Sequence, residues 1–200
     1  LNDGERQMTK PVYLHTDNDV EILKTFDMVL SHMQAIADPY QWKWVITGWH
    51  SILQNAMVLA LCQGNDFQVY LADGKASTQE IFQQICNDDF TNIDKLQLPS
   101  FMALYRATRE SSAFTPSEVC TVAVGKLHQL RNDFIHYHPR GWSLQVDGLP
   151  QWILASGELL DHFLASGEVV RWYDENDEKA FREKYAEFQD RLHGVISVYS

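Results

Sequence analysis

Apolar residues recur at helical spacing along most of this chain, most clearly from Thr115 to His138. There Ala123, Leu127, Leu130, Phe134 and Tyr137 follow one another at intervals of four and three, which puts them on one stripe. At about 100° per residue, His128, Asn132 and His136 fall on roughly the opposite side, with Arg131 at the edge of that side. Thr115 is the expected cap, Pro116 suits the first helical position, and Glu118 stands where a capping-box carboxylate reaches back. Pro139 and Gly141 mark the end. The spacing predicts a helix over 116–138 that buries one side and presents Arg, Asn and His on the other.

The same period predicts a helix over 18–37, opened by Asn18 with Glu21 and burying Val20, Leu23, Phe26, Leu30 and Met33. Residues 41–63 are apolar almost all round, which marks the central helix of a bundle. Shorter helices are expected from Ser77 to Cys86 and from Pro99 to Ser112, and two longer ones over 155–170 and 174–198. Between 141 and 153 the pattern changes to alternation, and Asp147-Gly148 is a two-residue turn signal. That reads as a small β-hairpin-like insert, with Pro150 keeping the return strand at an edge. Residues 1–15 read as a loose leader and 16–200 as a single all-α domain carrying the insert. No run is read as approaching the ~20 residues of a membrane span, and the polar start LNDGERQMTK lacks a signal peptide.

Composition narrows the chemistry. A 45% hydrophobic content with six Trp fits a folded globule. Cys62, Cys86 and Cys120 are widely spaced and odd in number, so they read as free thiols of a cytoplasmic protein. The net charge of −11 argues against a general nucleic-acid binder, so any RNA chemistry rests on a local cluster. The cluster is His128, Arg131, His136, His138 and Arg140.

Within it, Arg131 offers planar, permanently charged donors for phosphate, and His136 an imidazole for proton transfer. Asn132 is placed to orient either. His128, His138 and Arg140 read as accessory or phosphate-binding groups. The plain alternative is an exposed helix face whose Arg131 pairs with Asp133 or Glu118 while His136 caps the helix end. His136-x-His138 and the His128/His136 spacing resemble ligand pairs, but no carboxylate or Cys stands at ligand spacing, so neither metal nor cofactor is expected. In the central helix His50, Ser51 and Asn55 are polar. They are either core groups bonded to neighbours, or His50 or Asn55 lies beneath the Arg131/His136 face.

The segment Arg131-Asn132-Asp133-Phe134-Ile135-His136, R-N-x-x-x-H late on a long helix, resembles the signature of the HEPN superfamily. The resemblance implies a helical bundle that forms a homodimer. It also implies metal-independent endoribonuclease activity, with Arg131 stabilising phosphate, His136 transferring the proton and Asn132 orienting. Members of this type serve in toxin–antitoxin or antiviral defence systems, which implies RNA as substrate and an antitoxin or nucleotidyltransferase-type partner, with no membrane. The rival reading is a catalytically silent HEPN module that dimerises and binds a nucleotide, an RNA or a protein.

Overall fold

The first helix, α1 (Asn18–Gln34), is opened by Asp17, whose carboxylate accepts from the Val20 N–H at 2.8 Å. The cap therefore sits one residue ahead of the expected Asn18. Asp19 and Glu21 place negative charge at the positive helix end. Its buried apolar residues are Ile22, Phe26, Val29, Leu30 and Met33, while Val20 is exposed. A stripe through Val29 has the same helical period as the expected one through Val20. The neighbouring helices decide between them. The computed structural model describes residues 12–62, 67–71, 76–136, 139, 141–166, 172 and 175–199. Of the leader, Val12, Tyr13 and Leu14 are exposed, and residues 1–11 lie outside the described set.

The apolar second helix, α2 (Gln41–Cys62), is the centre of the bundle and touches α1 along its length. By length and composition alone it is apolar enough to cross a membrane, contrary to the sequence expectation, yet 78% of that window is buried by the other helices. Close approach of α1 depends on Gly48: a Cβ there would stand 2.4 Å from Val29 Cγ2 and 2.7 Å from Met28 Cε. Trp49 stacks on Tyr185 and meets Phe188 at a tilt, and Phe26 meets Phe181, Tyr185 and Phe188 edge-on or tilted. The Trp49 indole N–H is satisfied by Ser156 Oγ at 2.8 Å, so the ring is buried without an orphaned donor.

After α2 come the short α3 (Phe67–Leu71), α4 (Ala76–Cys86) and a 3₁₀ turn, Ile93–Lys95. Then α5 (Phe101–Ser111) is capped by Ser100 and packs on α2. The signature helix is α6 (Glu118–Ile135). It starts later than expected, with Ser117 as cap instead of Thr115: Ser117 Oγ accepts from the Cys120 N–H at 3.0 Å. Glu158 takes the part expected of Glu118, accepting from the Ser117 N–H at 3.0 Å and from its hydroxyl at 2.5 Å.

Among the described residues there is no strand, which corrects the β-hairpin expectation. Residues 141–146 have no regular secondary structure, and Leu144 and Val146 pack against the core, so the alternation in burial is real but no strand is assigned among the described residues. The expected return strand is instead α7 (Leu149–Ser156). Gly148 has φ −87°, helical and not the positive value a type I′ hairpin turn requires. Pro150 lies in the first turn, where its missing N–H is harmless, and Leu149 and Ile153 bury one face. The helix expected over 155–170 is likewise two elements, α7 and α8 (Glu158–Ser166), meeting at Gly157. A Cβ there would lie 2.6 Å from the Tyr185 hydroxyl, which donates to the Gly157 carbonyl at 3.2 Å and sits 3.0 Å from Asp161 Oδ1. The last helix, α9 (Glu175–Tyr199), packs across α1 and α7 and supplies that tyrosine. One hydrophobic cluster runs through α1, α2, α5, α6, α7, α8 and α9.

Candidate functional site

The buried residues of α6 are Cys120, Ala123, Val124 and Leu127. Arg131 follows Val124 by seven residues and so lies within about 20° of it around the helix. It continues the buried line instead of sitting on a free face. His128, Arg131 and Asn132 are all half-buried, which corrects the expectation that they occupy an exposed polar side.

They are bonded in series. Arg131 Nη1 donates to Asn132 Oδ1 at 3.1 Å, which orients the amide so that its Nδ2 faces His128 Nε2 at 3.2 Å. With His128 Nε2 accepting, its proton resides on Nδ1, which lies 3.0 Å from His50 Nε2 in the core of α2. His50 is thus the group beneath the signature, and Asn55 takes no part in this series. Both ring nitrogens of His128 are engaged. This removes it as a free base or metal ligand.

Burial and the Arg131 charge keep the imidazoles neutral. The His50 pKa is held down to about 3, first by burial and then by the nearby Arg131 and His128. His128 is lowered for the same two leading reasons, burial and Arg131. Phe101, the first residue of α5, seals the pair. Its ring stacks on His50 with centroids 3.9 Å apart and on His128 at 5.2 Å. Sequence reasoning read Phe101 only as part of a short helix; a ring one residue past a helix cap carried no signal of this role. Among the described residues, His50 Nδ1 and Arg131 Nε are buried without a hydrogen-bond partner.

His136 lies elsewhere. It is the C-cap of α6 and exposed, five residues and hence about 140° round the helix from Arg131. Within one chain the Arg131 guanidinium turns to Asn132 and not to His136. His138 and Arg140 lie outside the described residues. Cys120 is no candidate nucleophile, because burial pushes its thiol up to about 11.

Near the end of α6 there is a cavity of about 430 Å³. Asp133 and Phe134 of the signature form one wall, and Pro39, Tyr40, Trp42, Lys43, Trp142, Leu144 and Val146 complete it. The Phe134 and Trp142 rings are 5.1 Å apart. Trp42 and Trp142 gave no sequence clue to a shared pocket, since only the course of 141–146 brings them together. No family model, curated protein or solved structure matches the chain.

Proposed function

We propose that this chain is a HEPN-type, metal-independent endoribonuclease acting as a homodimer. One observation carries the reading: Arg131, Asn132, His128 and His50 form a hydrogen-bonded series that anchors a guanidinium at the end of the signature helix. A cation that stabilises a phosphorane is most effective when its position is fixed before reaction, and a half-buried series of this kind fixes it. Because Arg131 and His136 diverge by about 140°, one chain does not aim both at one phosphate. Two chains with their α6 ends opposed do, Arg131 of one facing His136 of the other.

In that cleft one His136 takes the proton of the RNA 2′-hydroxyl as its oxygen bonds to phosphorus. The bond from phosphorus to the 5′-oxygen then breaks, and that oxygen receives a proton from the second, protonated His136. Arg131 balances the negative charge gathered on the phosphorane oxygens. The chemistry leaves a 2′,3′-cyclic phosphate and a 5′-hydroxyl.

The test is incubation of single-stranded RNA with purified protein in excess EDTA, reading the fragment ends. Expected are cyclic-phosphate fragments that vanish with Arg131→Ala. Cleavage that stops with EDTA and returns only with a divalent ion sinks the reading. No cleavage from a dimeric, folded protein moves the conclusion to a silent HEPN module that binds a nucleotide, an RNA or a protein, which the net charge of −11 favours.

A further inference from the structure

Arg131 is held in place by one neutral group. Among the described residues the bond to Asn132 Oδ1 is its one hydrogen bond, and its Nε is buried without a partner. A half-buried cation with so little compensation turns back to water once that bond is lost.

The bond depends in turn on the protonation state of His128. Arginine only donates, so Asn132 must turn its oxygen to Arg131 and its NH₂ to His128. His128 Nε2 is therefore an acceptor, a role that nitrogen has only while it carries no proton. When His128 gains a proton, both of its ring nitrogens become donors. Its Nδ1–H still donates to His50 Nε2, so nothing on the α2 side has to move. On the other side, Nε2–H meets the Asn132 NH₂ donor to donor. Turning the amide over gives Oδ1 to His128, but then the NH₂ faces Arg131 Nη1, again donor to donor. Either way one contact is lost. The His128 ring is pinned between its bond to His50 and its stack on Phe101, 5.2 Å away and almost parallel. Arg131 has a long stem at the end of the helix, and the new positive charge repels it, so it is the group that leaves.

The charges around His128 set when this happens. From α2 it faces His50, and from its own helix Arg131, while α5 offers the Phe101 ring, which does not titrate. The helix α7, which packs on α6, has no ionisable side chain. Burial, and then the Arg131 charge, oppose protonation, so the ring is neutral at pH 7 and takes up a proton only below the usual histidine value of about 6.5.

We propose that His128 and Asn132 form an acid-sensitive latch on Arg131: one proton taken up by His128 turns the Asn132 amide and releases the guanidinium to solvent. Only the consequence for RNA, a phosphorane left without its cation in acid, rests on the RNA-cleavage reading. The latch itself is open to test without cleavage.

The test is a nuclear magnetic resonance titration of the full ¹⁵N-labelled chain from about pH 7 to about pH 4.5, a window reaching well below the ordinary histidine pKa. At the upper end His128 should carry its proton on Nδ1, and an Arg131 Nη–H should be protected from exchange. As Nε2 gains its proton, the Asn132 amide protons should shift. Arg131 protection, corrected for the intrinsic pH dependence, should fall about tenfold or more, the scale of one charged hydrogen bond. All three changes should share one midpoint while circular dichroism stays native. His128→Gln supplies an acceptor that does not titrate, so Arg131 should remain protected across the window. Asn132→Asp accepts from both neighbours and should likewise hold Arg131 in acid. Protection that survives His128 protonation overturns the latch, as does release in both variants at the wild-type midpoint. Release that coincides with loss of the circular dichroism signal does so too, because unfolding is then the cause. The two readings fail separately. A latch that opens in a chain that cleaves no RNA removes the enzyme and leaves the latch. Arg131-dependent cleavage by a chain whose Arg131 is equally protected at both ends of the window does the reverse.

Discussion

His50 Nε2 lies 3.0 Å from His128 Nδ1, joining the centre of the core helix to the signature helix through two stacked imidazoles. The contact is directional. Asn132 donates to the far nitrogen of His128, so His128 donates to His50, and the one proton left on His50 sits on a buried Nδ1 with no acceptor among the described residues. An orphaned buried donor costs about 1–3 kcal/mol. The fold bears that cost at the point where Arg131 is anchored, which is where a functional site is expected to depart from best packing.

Stability should fall as the pH drops below about 6.5. His50 has its folded pKa lowered to about 3, so above its unfolded value the ring is neutral in both states and its contribution is complete. As the pH falls, only the unfolded ring takes up a proton, and stability is lost progressively toward the folded value. From pH 7 to pH 5 that loss is about 2 kcal/mol from His50 alone, and His128 shifts in the same direction. Urea midpoints at the two pH values should differ less in His50→Phe than in wild type. An equal drop in both would show that other groups set the acid limit.

Arg131→Ala should reduce RNA cleavage about 10²–10³-fold through lost phosphorane stabilisation. His136→Ala should reduce it about 10²–10⁴-fold as a proton-transfer group. The two differ in stability. His136 is exposed, so its variant should melt within about 0.5 kcal/mol of wild type. Asn132→Leu breaks both the Arg131 and the His128 bonds and should cost about 1–3 kcal/mol along with most activity. Wild-type cleavage by folded Arg131→Ala would end the catalytic assignment.

Ser117→Ala should destabilise the chain by about 1 kcal/mol, the usual worth of a helix cap. Glu158→Gln should cost less. In a double-mutant cycle the two should couple, because Glu158 holds the same serine by two bonds. Additive losses would separate the cap from α8.

Gly48→Ala should be destabilising by about 1–3 kcal/mol, since its methyl group would meet Val29 and Met28 where α1 and α2 approach most closely. Met28 is partly exposed and flexible, but Val29 is buried and branched. Adding Val29→Ala to Gly48→Ala should recover part of the loss, as read by thermal denaturation. A neutral single variant would mean the helices shift freely.

A homodimer through the α6 end should sediment as such, and Ile135→Asp should shift it toward monomer. Ile135 is an apolar residue 36% exposed one position before His136, the kind of side chain an interface there would cover. Cleavage should fall in parallel with dimer content. A dimer untouched by this change places its interface elsewhere.

Helices were legible in the sequence because their apolar period is local: α2 shows it almost without gaps, and α9 carries Phe181, Tyr185, Phe188 and Leu192 on one line. Caps, by contrast, slipped by one or two residues, because Ser117 takes its partner Glu158 from forty-one positions away. Residues 149–153 have an alternation that suits a strand and a Pro that suits a helix start, and only burial of Leu149 and Ile153 in the bundle settles the choice. The motif from Arg131 to His136 was readable as a pattern of residue types, but not as geometry. A helical wheel has no knowledge of which neighbour covers which face. Packing of α6 against α2 and α5 turned Arg131 inward, gave His128 to His50 and Phe101, and left His136 exposed at the helix end. Periodicity belongs to the chain, whereas the side a residue faces belongs to the contacts among helices distant in sequence.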